Sequence, residues 1–131
     1  MAATPQACMD AFIAAMIRRD MAAALDLLTG DVALFYSNGT ALWGKEQFTA
    51  VMTANWKLVQ DYKYTTVEAI WLAQSDTAAA AIYTFSWSGL AGGNAVSGGG
   101  RGTRVFRKEG SDWRIAHEHL SAGQWKPETS D

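Results

Sequence analysis

The residues best suited to chemistry lie late in the chain, on two segments that alternate apolar and polar side chains. Arg104 belongs to the first segment, whereas Glu118 and the histidines His117 and His119 belong to the second. Counting through the glycine-containing turn at residues 110–112 places Glu118 near Arg104 across a predicted hairpin. A guanidinium keeps its charge in an apolar pocket, so Arg104 is predicted to bind an anion or fixed acceptors.

Two roles are open to the pair formed by Arg104 and Glu118. An internal salt bridge is the structural role, because a buried charge normally needs a partner. Alternatively, Glu118 is free and desolvated, and its raised pKa would suit a general base. In that case Tyr83 or Arg104 would stabilise the negative charge that develops on a substrate. His119 is the second candidate catalytic residue, since a bulge that reversed the phase of the strand would turn its imidazole into the pocket.

The two histidines lie two residues apart, which places both on the face of the strand opposite Glu118. We expect this to be the outer face of the sheet, shared with Trp113 and Ile115, where packing of a dimer would bury them. Two ligands do not complete the tetrahedral site that zinc prefers, and the sequence has no third histidine and a single cysteine. No metal site and no cofactor are therefore predicted.

Three helices are predicted to position these residues. Thr4 followed by Pro5 is a helix start, and apolar residues with helical spacing follow it. Asp20 is predicted to cap a second helix that ends at Gly30, a residue suited to a left-handed C-terminal stop. A third helix is predicted over residues 45–59, where apolar residues again recur every three or four positions.

The remaining segments have the composition of strands. Residues 32–36 lead into an Asn-Gly turn signal, and four longer segments follow, Tyr64–Leu72, Thr77–Ser88, Ser97–Lys108 and Trp113–Ser121. Short turns between consecutive strands predict antiparallel hairpins, and helices followed by strands indicate an α+β fold whose helices cover one sheet face. The glycine-rich start of the third long segment indicates either a strand with curvature, a bulge or close backbone approach, or a flexible loop.

One predicted strand carries large aromatic side chains on a single face. Tyr83, Phe85 and Trp87 alternate there with smaller residues. We expect this face to look inward and to line a pocket together with Trp56 of the third helix and Arg104. Large aromatic residues also dominate ordinary protein cores, so packing alone explains some of the six tryptophans in the chain.

Composition restricts the class of protein. A length of 131 residues with 49% apolar and 18% charged side chains indicates one globular domain, predicted at residues 1–126 with a frayed tail at 127–131. The net charge of −2 gives no basis for binding nucleic acid or an acidic membrane surface. The lone cysteine, Cys8, and the lack of a signal-peptide pattern or a long apolar run predict a cytoplasmic protein without membrane spans.

The order of these elements, together with the segment GRGTRVFRKEGSDWRIAHEHLS, resembles the SnoaL-like, or DUF4440, branch of the NTF2-like superfamily. The final hairpin, residues 102–121, is also similar to the association domain of calcium/calmodulin-dependent kinase II. The resemblance implies a cone-shaped, curved antiparallel sheet packed on three N-terminal helices, with an internal pocket and homodimers formed through the outer sheet face. The superfamily includes ketosteroid isomerases, polyketide cyclases, epoxide hydrolases and scytalone dehydratases.

Several residues take their expected roles from this resemblance. Ketosteroid isomerase-like members place a catalytic aspartate near the end of the first strand, where this sequence reads Phe-Tyr-Ser-Asn at residues 35–38. Similarity to the kinase association domain places Arg104 and Tyr83 on the pocket, and Leu120 stands where that domain has an arginine. The predicted ligand-binding residues are Arg104, Tyr83, Trp87, Trp56, Phe106 and Leu120.

The leading functional hypothesis is a homodimer that binds a small, mostly apolar molecule with one polar or anionic group met by Arg104. The first alternative is a cofactor-free isomerase, cyclase, dehydratase or hydrolase that uses Glu118 or His119 as a general base. The second alternative is an oligomerisation module, by analogy with the kinase association domain.

Overall fold

The computed structural model describes residues 2–67 and 69–123, which contain three helices and seven strands. The helices are α1 (Pro5–Arg18), α2 (Met21–Asp26) and α3 (Gly44–Leu58). The strands are β1 (Leu28–Phe35), β2 (Ala41–Trp43), β3 (Gln60–Thr66), β4 (Ile70–Gln74), β5 (Ala78–Ala91), β6 (Asn94–Glu109) and β7 (Asp112–Ser121). The tail predicted at residues 127–131 lies outside the described residues, so the predicted domain limits stay a prediction.

Both predicted helix starts are confirmed. The Thr4 hydroxyl oxygen accepts a hydrogen bond from the Ala7 N–H at 3.0 Å, and the Asp20 carboxylate accepts one from the Ala23 N–H at 3.1 Å. The predicted end of the second helix at Gly30 is wrong, because α2 ends at Asp26 and Gly30 lies inside β1. The chain leaves the helix early because Leu28 is fully buried and pairs with β7.

The strands form one curved, open sheet in the order β2-β1-β7-β6-β5-β3, and β4 also pairs with β5. The pairs are antiparallel except for β1 and β7, which run parallel. The α+β class is confirmed. The strand predicted at Tyr64–Leu72 is instead two strands, because β3 follows one half of β5 and β4 follows the other half.

The main core lies between the helices and the inner face of the sheet. Phe12 of α1 and Phe48 of α3 pack against each other with ring centroids 6.2 Å apart. Both rings are buried, as are Tyr83 of β5 and Phe106 of β6 on the sheet. The aromatic face predicted for β5 therefore does look inward.

The glycine-rich part of β6 is strand, and its glycines permit close approach of side chains from β5. A Cβ atom at Gly102 would lie 2.6 Å from the Tyr83 hydroxyl oxygen and 2.8 Å from Leu120 Cδ2. A Cβ atom at Gly98 would lie 2.6 Å from Nε1 of Trp87. The close-approach interpretation of this segment is confirmed, and the flexible-loop alternative is wrong.

A β-bulge in β7 decides which side chains face the core. Val105 pairs with His117, whereas the next residue of β6, Phe106, pairs with Ile115, so β7 has one extra residue at Ala116. Trp113 and Ile115 are consequently buried on the same side as Glu118. The expectation that they share the outer face with the histidines is wrong, because the bulge reverses the alternation before His117.

The outer face of the sheet carries aromatic and imidazole rings. The Phe35 ring lies 5.0 Å from His117 and 5.5 Å from His119, and 5.9 Å from Trp43, which is 60% exposed. Homodimer formation through this face stays a prediction. Among the described residues, no helix combines the length and apolarity needed to cross a membrane.

Gly102→Ala tests the close approach between β5 and β6. The new methyl group meets the buried Tyr83 ring and Leu120, so we expect the free energy of unfolding to fall by about 1–3 kcal/mol. Gly30→Ala is the matched control, because a Cβ atom there meets no atom within 4 Å. Urea denaturation measures both variants, and equal stability of the two would contradict the packing described for Gly102.

Candidate functional site

A cavity of about 400 Å³ lies between α1, α3 and the inner face of the sheet. Its wall is mostly aromatic and aliphatic, with a few polar side chains. The lining residues that matter below are Phe12, Arg19, Tyr36, Trp56, Tyr62, Tyr64, Phe85, Trp87, Arg104, Glu118 and Leu120.

The exposure of the lining residues distinguishes a closed end from a mouth. Phe48, Arg104 and Glu118 are buried and form the closed end. Leu58, which is 65% exposed, and the exposed Asn38 lie at the opposite end. A molecule entering from solvent would therefore reach Arg104 last.

Arg104 and Glu118 form a buried ion pair at the closed end. The Arg104 Nε–H donates to Glu118 Oε2 at 2.6 Å, and the side chains are only 4% and 7% exposed. Tyr83 donates its hydroxyl hydrogen to the same oxygen, also at 2.6 Å. The predicted proximity of Glu118 to Arg104 is confirmed, and the bulge at Ala116 makes the two residues direct register partners.

Two aromatic rings pack against the guanidinium of Arg104. Its Cζ atom lies 4.7 Å from the centre of the Tyr83 ring and 5.4 Å from that of Phe12. Nη1 is fully buried and has no hydrogen-bond acceptor within the described part of the chain. The edge of the guanidinium that carries Nη1 and Nη2, here called the Nη edge, therefore retains at Nη1 donors that the described residues do not use.

The charge states at the closed end follow from burial and from the ion pair. Burial lowers the pKa of Arg104, but the Glu118 carboxylate and the neighbouring phenols outweigh it, and the net pKa is raised. Burial, reinforced by the Glu118 carboxylate, raises the pKa of Tyr83 well above its usual value. Arg104 is thus a permanent cation, and Tyr83 is a neutral hydrogen-bond donor.

Three tyrosines other than Tyr83 line the cavity itself. Burial is the main cause that raises the pKa of Tyr62 to about 12 and that raises the pKa of Tyr36 and Tyr64 as well. All three phenols stay protonated near neutral pH, so they offer hydroxyl donors rather than negative charge.

The predicted ligand-binding residues occupy different positions relative to the cavity. Arg104, Trp56, Trp87 and Leu120 line it. Tyr83 is not among its lining residues and packs instead against Arg104. Phe106 lies in the core against the Trp71 ring, with centroids 5.2 Å apart.

Of the two predicted catalytic residues, Glu118 lines the cavity and His119 does not. His119 is exposed on the outer face of the sheet, where it lines a separate pocket of about 330 Å³. His117 donates from Nδ1 to the Ala33 carbonyl oxygen at 2.7 Å, because that oxygen can only accept. Within the described residues, no three His, Cys, Asp or Glu side chains come together as a metal-ion group would require.

Among the lining residues that were not predicted from the sequence are Arg19, Tyr36, Tyr62 and Tyr64. Tyr62 and Tyr64 alternate with charged residues, which is a strand signal, but the predicted strand began too late to include Tyr62. The Arg-Arg-Asp sequence before α2 marks a sharp connection between helices, yet nothing local shows that Arg19 turns toward the cavity.

Residues 6–124 match the family model of the SnoaL-like domain, and the chain therefore belongs to the SnoaL-like family. The resemblance inferred from the final hairpin and the order of elements is thus confirmed, whereas the DUF4440 assignment stays a prediction. No curated protein shows significant sequence similarity to the chain.

Solved structures share this fold at low sequence identity. A proposed calcium/calmodulin-dependent protein kinase type II association domain from Thiobacillus denitrificans is 21% identical, covers 95% of this chain and 98% of its own, and has a TM-score of 0.79. A ketosteroid isomerase-like protein from Erwinia carotovora atroseptica is 21% identical over 88% of this chain and 91% of its own, with a TM-score of 0.75. A nuclear transport factor 2-like superfamily protein from Salmonella enterica is 17% identical over 95% and 91%, with a TM-score of 0.78.

Glu118→Gln tests the buried pair. Loss of the carboxylate leaves the Arg104 charge without its counter-ion, so we expect the free energy of unfolding to fall by about 3 kcal/mol. Glu46→Gln, at an exposed position in the first turn of α3, is the control and should cost no more than about 0.5 kcal/mol. Chemical denaturation at pH 7 measures the difference, and a Glu118→Gln variant as stable as the control would show that the pair is not structural.

Proposed function

We propose that this protein binds a small, mostly apolar molecule whose one polar group accepts a hydrogen bond from the Nη edge of Arg104. The observation that carries the proposal is the guanidinium of Arg104, a residue that is 3% exposed. It lines an aromatic cavity, and its buried Nη1 has no acceptor among the described residues. Buried polar groups are normally hydrogen-bonded, and an unmade bond costs about 1–3 kcal/mol. A ligand oxygen would satisfy this donor.

A neutral carbonyl or hydroxyl oxygen fits the closed end better than a carboxylate does. The Glu118 carboxylate already compensates the charge of Arg104 at 2.6 Å. A second carboxylate at the Nη edge would lie close to the first in a buried site, where like charges repel strongly. The neutral phenol of Tyr64 is a further donor that lines the same cavity.

The remaining wall favours an aromatic or polycyclic ligand. A volume of about 400 Å³ lies within the range of roughly 300–1,000 Å³ that is typical of small-molecule sites. Phe85, Trp87 and Trp56 offer flat apolar surfaces there.

Catalysis is the weaker candidate, because of the contacts that Glu118 makes. Arg104 and Tyr83 both donate to Glu118 Oε2 and hold the carboxylate in the buried pair, so only its second oxygen could act as a general base. The exposed imidazole of His119 lies on the opposite sheet face. A ketosteroid isomerase-like protein shares the fold at 21% identity, and a shared fold does not transfer a reaction.

Binding of 2-acetylnaphthalene and 2-ethylnaphthalene tests the proposal, since the two differ mainly in the carbonyl oxygen. We expect the ketone to bind at least about tenfold more tightly, because a hydrogen bond to a buried charged donor is worth about 1.5–3 kcal/mol. Quenching of tryptophan fluorescence measures both, since Trp56 and Trp87 line the cavity.

The double variant Arg104→Met with Glu118→Leu is the matched test of the donor. Replacing both members of a buried pair by apolar residues often preserves stability, although the Tyr83 hydroxyl also loses its acceptor at a cost of about 1–3 kcal/mol. This variant should therefore fold with reduced stability while losing the preference for the ketone. Arg107→Met removes a partly exposed arginine that pairs with Asp31 on the surface, and it should keep the preference. Equal affinity of wild type for the two naphthalenes would contradict the proposal, as would the same preference in the double variant.

A further inference from the structure

Arg19 lies at the mouth of the cavity in a position fixed by both long helices. It caps the C-terminus of α1 in the left-handed conformation, with φ of 58°. Its Nη1 donates to the Trp56 carbonyl oxygen at 2.6 Å, and its Nη2 donates to the Val59 carbonyl oxygen at 2.5 Å. The guanidinium also lies over the Tyr62 ring, 5.7 Å from its centre.

These contacts do not exhaust the binding capacity of Arg19. A guanidinium has more N–H donors than two carbonyl oxygens use. No carboxylate of residues 2–67 and 69–123 lies within ion-pair distance of Arg19. Its neighbour Arg18 differs, because it is 55% exposed and pairs with Asp20 away from the cavity.

The charges that line the cavity are therefore unbalanced. Among the described lining residues, the charged side chains are Arg19, Arg104 and Glu118. Arg104 and Glu118 compensate each other at the closed end, so the excess positive charge is that of Arg19 at the mouth. The carbonyl oxygens and the Tyr62 ring hold this cation in place before any ligand arrives. This lowers the entropic cost of binding a ligand, because the Arg19 side chain is already ordered.

We propose that the cavity selects an aromatic or polycyclic oxo acid, with its carbonyl oxygen at Arg104 and a carboxylate at its far end paired with Arg19. This inference rests on the proposed function and adds the second polar group, its charge and its position. The carboxylate lies at the mouth, where it remains partly hydrated. Such a ligand satisfies both unused sets of arginine donors without burying a second anion at the closed end.

The test compares 6-acetyl-2-naphthoate with 2-acetylnaphthalene, and its readout is the ratio of their dissociation constants. For wild type we expect the acid to bind about tenfold more tightly, because its carboxylate forms one charge-assisted hydrogen bond with Arg19. In Arg19→Gly the ratio should fall to about one, because glycine accepts the positive φ and removes the guanidinium. Arg18→Gln removes a neighbouring positive charge outside the cavity and should keep the ratio of wild type.

The ratio separates ligand recognition from a purely structural role. If Arg19 only ties α1 to α3, its loss lowers the melting temperature and weakens both probes alike, which would overturn the inference. A ratio near one in wild type, with the ketone still preferred over 2-ethylnaphthalene, overturns the inference and leaves the proposed function standing. Failure of the ketone to bind at all overturns both.

Discussion

The charge of the buried Arg104 guanidinium is the constraint that organises the closed end of the cavity. Arg104 is 3% exposed, and moving an ion of this size out of water costs several kcal/mol even after relaxation. Glu118 supplies the counter-charge, and the rings of Phe12 and Tyr83 pack against the guanidinium. These contacts compensate the charge, yet the described residues leave the Nη edge without a full set of acceptors.

This arrangement constrains the backbone of three neighbouring strands. The Tyr83 hydroxyl reaches from β5 across β6 to Glu118 on β7, which is possible because Gly102 has no side chain beneath the Tyr83 ring. The bulge at Ala116 allows Glu118 to face inward although Ile115, three residues earlier, faces inward as well. A regular strand would direct one of these two side chains to the outer face. Packing and polar recognition therefore depend on the same irregular hairpin.

Much of the fold was predictable because its signals are local. Thr4 and Asp20 cap helices through contacts three residues away, and the turn at residues 110–112 forms the hairpin that brings Glu118 near Arg104. The bulge was not predictable, because no glycine or proline marks Ala116, yet it is the bulge that makes Glu118 rather than His117 the register partner of Arg104. The role of Arg19 was hidden for a related reason, since its acceptor on Trp56 lies 37 residues further along the chain.

A crystal structure of the protein with 2-acetylnaphthalene bound tests the central claim most directly. The account predicts the ring system against Trp87 and Phe85, with the carbonyl oxygen about 3 Å from a nitrogen of the Nη edge and the Arg104–Glu118 pair intact. The claim would be contradicted by a ketone bound outside this cavity, or by an Nη edge that turns to an acceptor of the protein itself while the ketone oxygen contacts only apolar atoms.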